Sequence, residues 1–211
     1  MARNDKGRQA KLMKKRQKDK LRRQARAGTR LSASGLARKQ ILEARGYPIH
    51  ECLVGPAWRD VGLCHVLLSR VQPDGNLVAG VYLVDILCLG LKNTFAHANL
   101  SRSGYESRLR GPLREKQGLA ASPVELAHTL IYGSIDFARQ FGFQPHRDFK
   151  LSSHVLEERG RLPLRGDVEF GRDGKPLFVS GPHDDVRTIL RQLEASAGEG
   201  NFDFMVGGPV S

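Results

Sequence analysis

Residues 63–90 read "LCHVLLSRVQPDGNLVAGVYLVDILCLG" and carry the strongest β signal in the chain. Two runs rich in Val, Leu and Ile flank "VQPDGN". Apolar runs bounded by turn residues read as strands, and an Asp-Gly between them reads as a hairpin. Leu63–Arg70 and Leu77–Gly90 are therefore expected as paired antiparallel strands turning at Asp74-Gly75. "IHECLVG" (Ile49–Gly55) reads as a strand before them, and a short helix over about Leu36–Ala44, capped by Ser34, is expected to stop at "GYP".

Beyond the hairpin, "SRSGYESRLRGPLREKQG" reads as a polar connection with a short helix broken at Gly111-Pro112. "SPVELAHTLIYGSIDFARQFG" predicts a long helix. Ser122 stands at the N-cap, Pro123 at the first helical position and Glu125 completes a capping box. Leu126, Leu130, Ile131, Ile135 and Phe137 supply its apolar stripe, and Gly142 ends it. "VEFGRDGKPLFVSG" (Val168–Gly181) predicts a second hairpin turning at Asp173-Gly174. A last helix follows, capped near His183 or Asp184, with Val186, Ile189, Leu190 and Leu193 on one face; "GEGNFDFMV" reads as a final strand or docking tail. This order predicts an α+β body, 31–211, with a mostly antiparallel sheet and helices packed on it.

Residues 1–30 are of another kind. They hold thirteen Lys/Arg against two Asp, a net of +11 out of the chain's +12, so the body is close to neutral. Like charges at i, i+4, such as Lys11–Lys15 and Lys14–Lys18, repel on a helix, and disorder is the expectation for the isolated arm. Such a block neutralises phosphates and releases condensed counterions. Lys11, Lys14, Lys15, Arg16, Lys18, Lys20, Arg22, Arg23 and Arg26 are the expected phosphate contacts. The arm has no aromatic residue, so base stacking is not its mode. RNA or the ribosome is the expected partner, and the body is left to give shape or to recruit a protein. A membrane partner is not expected, because the arm lacks an apolar face and no apolar run reaches the length of a spanning helix.

The three cysteines, Cys52, Cys64 and Cys88, are odd in number and widely spaced. That pattern argues against a disulfide framework and fits a cytoplasmic protein. Zinc chemistry is not expected. Among Cys52, Cys64, His65, Cys88 and His97 only Cys64 and His65 are adjacent, and neighbours on a strand face opposite ways. No cofactor is called for.

Asp85 is the residue that asks for an explanation. It lies in an apolar strand, on the face of Leu83 and Leu87, where an ionised carboxylate is costly without a partner. The structural reading is a buried ion pair with Lys92, His65 or an arginine, or an edge where the strand bends. The alternative is a hydrolase or nuclease-like site formed by Asp85, Cys88 and Lys92. His146, Asp148, Ser152, Ser153 and His154 contain the residue types of a hydrolase triad, but no nucleophile elbow frames either serine, and a polar loop is the better reading. Arg102, Arg108, Arg110, Arg114 and Lys116, with Tyr105 among them, form a further basic stretch partly offset by Glu106 and Glu115.

"GVYLVDILCLGLKNTF", "IYGSIDFARQFGFQPHRDFKLS", "FGRDGKPLFVSGPHDDV" and "GEGNFDFMV" together give the body a resemblance to an uncharacterised family of bacterial cytosolic proteins. Some similar proteins carry an SEC-C type zinc module, a type linked to ribosome or translocation contacts. This chain has no Cys-rich ending of that kind. The resemblance implies a bacterial cytosolic protein and carries no functional residue over.

Overall fold

The computed structural model describes residues 35–206. The nine basic residues expected to contact phosphate, and the proposed cap Ser34, lie outside them. The chain divides between Lys39 and Gln40, and the sheet and its helices belong to the unit that begins at Gln40.

Residues 35–43 form α1, which runs into a 3-10 turn at Ala44–Gly46. The strands β1 (Ile49–Val54), β2 (Leu63–Val71), β3 (Leu77–Asp85), β4 (Gly90–Leu100) and β5 (Ala120–Ala121) make one antiparallel sheet in the order β4-β3-β2-β1-β5. A short helix, α2 (Trp58–Val61), joins β1 to β2. The expected hairpin is β2–β3, with Leu67 opposite Val81 and Val71 opposite Leu77. Its turn is held by Gln72 N–H to Asn76 O, and Gly75 takes the positive φ (81°) that the turn requires.

One strand was not foreseen. The run read as a single strand to Gly90 stops at Asp85, turns through residues 86–89 and returns as β4. The continuous apolar string "DILCLG" hides that turn, because a buried turn keeps its apolar character.

Strand alternation splits the side chains between two faces. Cys52, Val54, Cys64, Val66, Leu68, Val78, Tyr82, Val84 and Leu91 form one buried layer with Ala127, Leu130, Ile131 and Ile135. The latter four lie on α4, which runs 124–140 through a π turn at Thr129–Gly133. The turn has local causes. The Thr129 hydroxyl donates to Glu125 O at 2.7 Å, which competes with the helix ladder. Gly133 admits the Phe170 ring, which a Cβ there would approach to 2.2 Å. The expected capping box does not form. Pro123 is the N-cap, and Ser122 instead donates its N–H to Cys52 O.

On the opposite face Leu53, Leu67, Leu77, Ala79, Val81 and Leu100 pack against Tyr105 and Leu109. These belong to α3 (102–117), a continuous helix where a broken connection was expected. Pro112 should break it, since it lacks an N–H and crowds the carbonyl four residues back. A π turn at Glu106–Arg110, just before Gly111-Pro112, shifts the ladder there and the helix continues.

The second predicted hairpin is only a turn. Asp173 (φ 51°) and Gly174 (φ 74°) close it through paired Arg172–Lys175 bonds. Pro176 has no N–H to extend a ladder. The flanks bond elsewhere: Gly171 N–H to Ile86 O and Leu177 N–H to Leu87 O. β6 (Leu177–Val179) then pairs in parallel with β7 (Asp203–Met205), a parallel element within an otherwise antiparallel α+β fold. The short helix α5 (Phe149–Ser152) precedes this region. The last helix, α6 (Val186–Ala197), is capped by Asp185 rather than His183 or Asp184, and its apolar face closes over Cys88 and Phe178.

Candidate functional site

β1 and β3 end, and β2 and β4 begin, at the same end of the sheet. A cavity of about 420 Å³ opens there. Gly55, Leu63, Asp85, Leu87 and Lys92 come from the strand ends, Ala57 and Val61 from the α2 region, Lys116 and Gln117 from the end of α3, and Val179 to Gly181 from the end of β6. Two features let these segments meet closely. His65 N–H donates to Gln117 Oε1 at 3.1 Å, tying α3 to β2. Gly181 leaves room for an ion pair that a Cβ would crowd at 3.1 Å from Asp184 Oδ2.

Asp85 is buried at this end, and no ion-pair partner holds it among the described residues. Its Oδ1 accepts the N–H groups of Leu87 (2.9 Å) and Cys88 (3.1 Å), the turn that leads into β4. Burial raises its carboxyl above the usual range, and those backbone donors oppose the rise. The expected partner Lys92 is engaged elsewhere: its Nζ lies 2.6 Å from Asp184 Oδ2, which also accepts Gly181 N–H at 2.8 Å. Asp85 and Lys92 thus face one cavity without forming a pair. The part played by Asp184 was missed in the sequence, where it read as a helix cap.

Cys88 faces away from this chemistry, fully buried against Phe178 and Leu193. Burial pushes its thiol well up, and it pushes Cys52 and Cys64 up to about 12. The reactive form of a thiol is the thiolate, so none of the three is poised as a nucleophile. Cys64 and His65 do face opposite sides of the sheet. Among the described residues no group of three His, Cys, Asp or Glu side chains is placed to hold a metal ion.

The residues with triad chemistry do not converge. Ser152 is buried and hydrogen-bonded to the Thr94 hydroxyl at 2.8 Å. The His146 ring accepts the Asp148 N–H at 3.3 Å in an exposed turn. Of the basic stretch, Arg110 pairs with Glu51 (3.2 Å) and Glu106 (3.0 Å) and Arg114 reaches Glu106 at 4.0 Å, and Arg102, Arg108, Arg114 and Lys116 are exposed along α3. Tyr105 is core and donates to Glu51 Oε1 at 2.7 Å.

The α3 face of the sheet is covered only in part. Phe95 and His97 on the edge strand β4 are exposed, with their rings 5.4 Å apart and edge to face. No family model, curated protein or solved structure matches this chain. No helix among the described residues is long and apolar enough to cross a membrane.

Proposed function

We propose that the protein binds RNA, free or in the ribosome, through the Lys/Arg-rich segment that includes Lys11 to Arg26. One observation carries this reading: thirteen Lys/Arg against two Asp in residues 1–30, beside a body whose charges nearly cancel. Solubility needs no such segregation of charge, and phosphate neutralisation does. The body adds what the arm lacks. Exposed Phe95 and His97 on the sheet face offer aromatic surfaces on which unpaired bases stack.

The test is binding of the full chain to a single-stranded RNA oligomer and to ribosomes over a salt series, beside a chain lacking residues 1–30. If the nine basic side chains from Lys11 to Arg26 engage half their number of phosphates, log K falls with log salt at a slope of about −3. Truncation is expected to flatten the slope and remove ribosome co-sedimentation. Phe95→Ala in the full chain is expected to weaken RNA binding roughly tenfold and to leave binding to heparin, which has no bases, unchanged. Equal binding and equal slope with and without residues 1–30 sink the proposal.

A further inference from the structure

The structure assigns to the cavity at the sheet end a second site, for a small amphipathic ligand with an aliphatic body and a single anionic headgroup, carboxylate or phosphate. The proposal does not rest on RNA binding.

Three observations converge on it. The first is size and shape: about 420 Å³ lies within the range of pockets that enclose small molecules, which span about 300–1,000 Å³. The second is the wall. Val61, Leu63 and Val179 line the cavity, yet they remain 58%, 39% and 42% exposed. Large apolar side chains left open around one concavity are the mark of a surface that something apolar covers. With Ala57 and Leu87 they make an aliphatic lining, without an aromatic ring for a base to stack on.

The third observation is the charge balance. Lys92 is neutralised by Asp184 at 2.6 Å. Asp85 has its Oδ1 committed to two backbone amides. Lys116 is exposed on the cavity wall and has no ion pair among the described residues. Gln117 uses its Oε1 to accept from His65, which leaves its amide NH₂ to donate. The Asp85 carboxylate offsets Lys116 in the charge count, but it is buried, whereas Lys116 is exposed; the charge presented at the rim of the cavity is therefore positive, with the Gln117 amide as a second donor beside an apolar wall. An anionic headgroup on a hydrocarbon body meets Lys116 and the wall at once, whereas a neutral hydrocarbon meets only the wall.

The experiment is a titration of the full-length protein, methyl-labelled, with octanoate, octyl phosphate and 1-octanol, reading the methyl resonances of Val61, Leu63, Leu87 and Val179. Reading these methyls separates cavity binding from anion capture by the basic residues 1–30. Saturable shifts with octanoate or octyl phosphate are expected, with 1-octanol at least roughly tenfold weaker. The tighter of the two anions names the headgroup. Lys116→Gln, at an exposed position, is expected to weaken the anions roughly tenfold and leave 1-octanol unchanged. Val61→Trp, also exposed, is expected to block all three by filling the mouth. Absence of cavity shifts overturns the site. Equal affinity for octanoate and octanol, or indifference to Lys116→Gln, overturns the headgroup assignment.

Discussion

Acidification should destabilise this fold through His128. Its ring is 1% exposed on α4, packs 5.2 Å from Tyr132, and its Nε2 accepts the Glu157 N–H at 3.0 Å. Protonation puts a charge into the core and removes that acceptor. Burial is the main cause that lowers the imidazole to about 4 from its ordinary 6.5; Arg70 and Arg45 add to the fall, while Glu157 and Glu125 oppose it. Each pKa unit corresponds to about 1.4 kcal/mol, so the neutral ring is favoured on folding by about 3 kcal/mol. The unfolded chain binds the proton first. The contribution is therefore complete above pH 6.5 and is lost as pH falls from 6.5 to about 4. Asp85, whose carboxyl is raised on folding, works in the opposite direction: its contribution is present below 3.8 and is lost as pH rises through its folded value. Comparison with His128→Gln removes that common background, because the Gln carbonyl can still accept from Glu157 and does not titrate. Urea unfolding followed from pH 7.5 to 4.5 should show the native protein losing about 2–3 kcal/mol more than the variant. Curves that stay parallel within about 0.5 kcal/mol would mean that His128 is not the buried neutral base described above.

Two further outcomes follow from single contacts. Asp85→Asn keeps an oxygen for the Leu87 and Cys88 amides and buries no charge, so stability at pH 7 should hold or rise; Asp85→Ala strands those amides at a cost of about 1–3 kcal/mol. Equal losses for the two variants in thermal and urea unfolding would contradict a turn-forming role for Asp85. A Cβ on Gly80 would lie 2.3 Å from the Tyr82 hydroxyl, which donates to Ser152 O at 2.8 Å. Gly80→Ala should therefore cost about 1–3 kcal/mol in the native background and measurably less in Tyr82→Phe, and a double-mutant cycle showing simple additivity would count against this contact.

Asp85 shows where reading a sequence stops. Its apolar neighbours announced burial and raised the question of a partner, and both points were sound. The satisfaction of its carboxylate by two amides of an unforeseen turn could not be seen, because a turn made of Ile86, Leu87, Cys88 and Leu89 has strand composition. The second Asp-Gly presents the converse. Its turn formed as composition predicted, but Pro176 and the open carbonyls of Ile86 and Leu87 diverted its flanks into other hydrogen bonds. The cavity was half legible: Asp85 and Lys92 were named together, whereas Lys116, Gln117 and Asp184 are brought to them from segments far away in the chain.

The sequence by itself determined the segregation of charge, the α+β class, the β2–β3 pairing and the apolar faces of α4 and α6. Each follows from local composition or from a period of two or 3.6 residues, and needs no knowledge of neighbours. Tertiary structure determined the continuity of α3 through Pro112, the parallel pairing of β6 with β7, the pairing of Lys92 with Asp184, and the opening at the sheet end. These depend on which backbone groups and side chains find partners once distant segments pack. That competition among donors, acceptors and volumes is settled only in three dimensions.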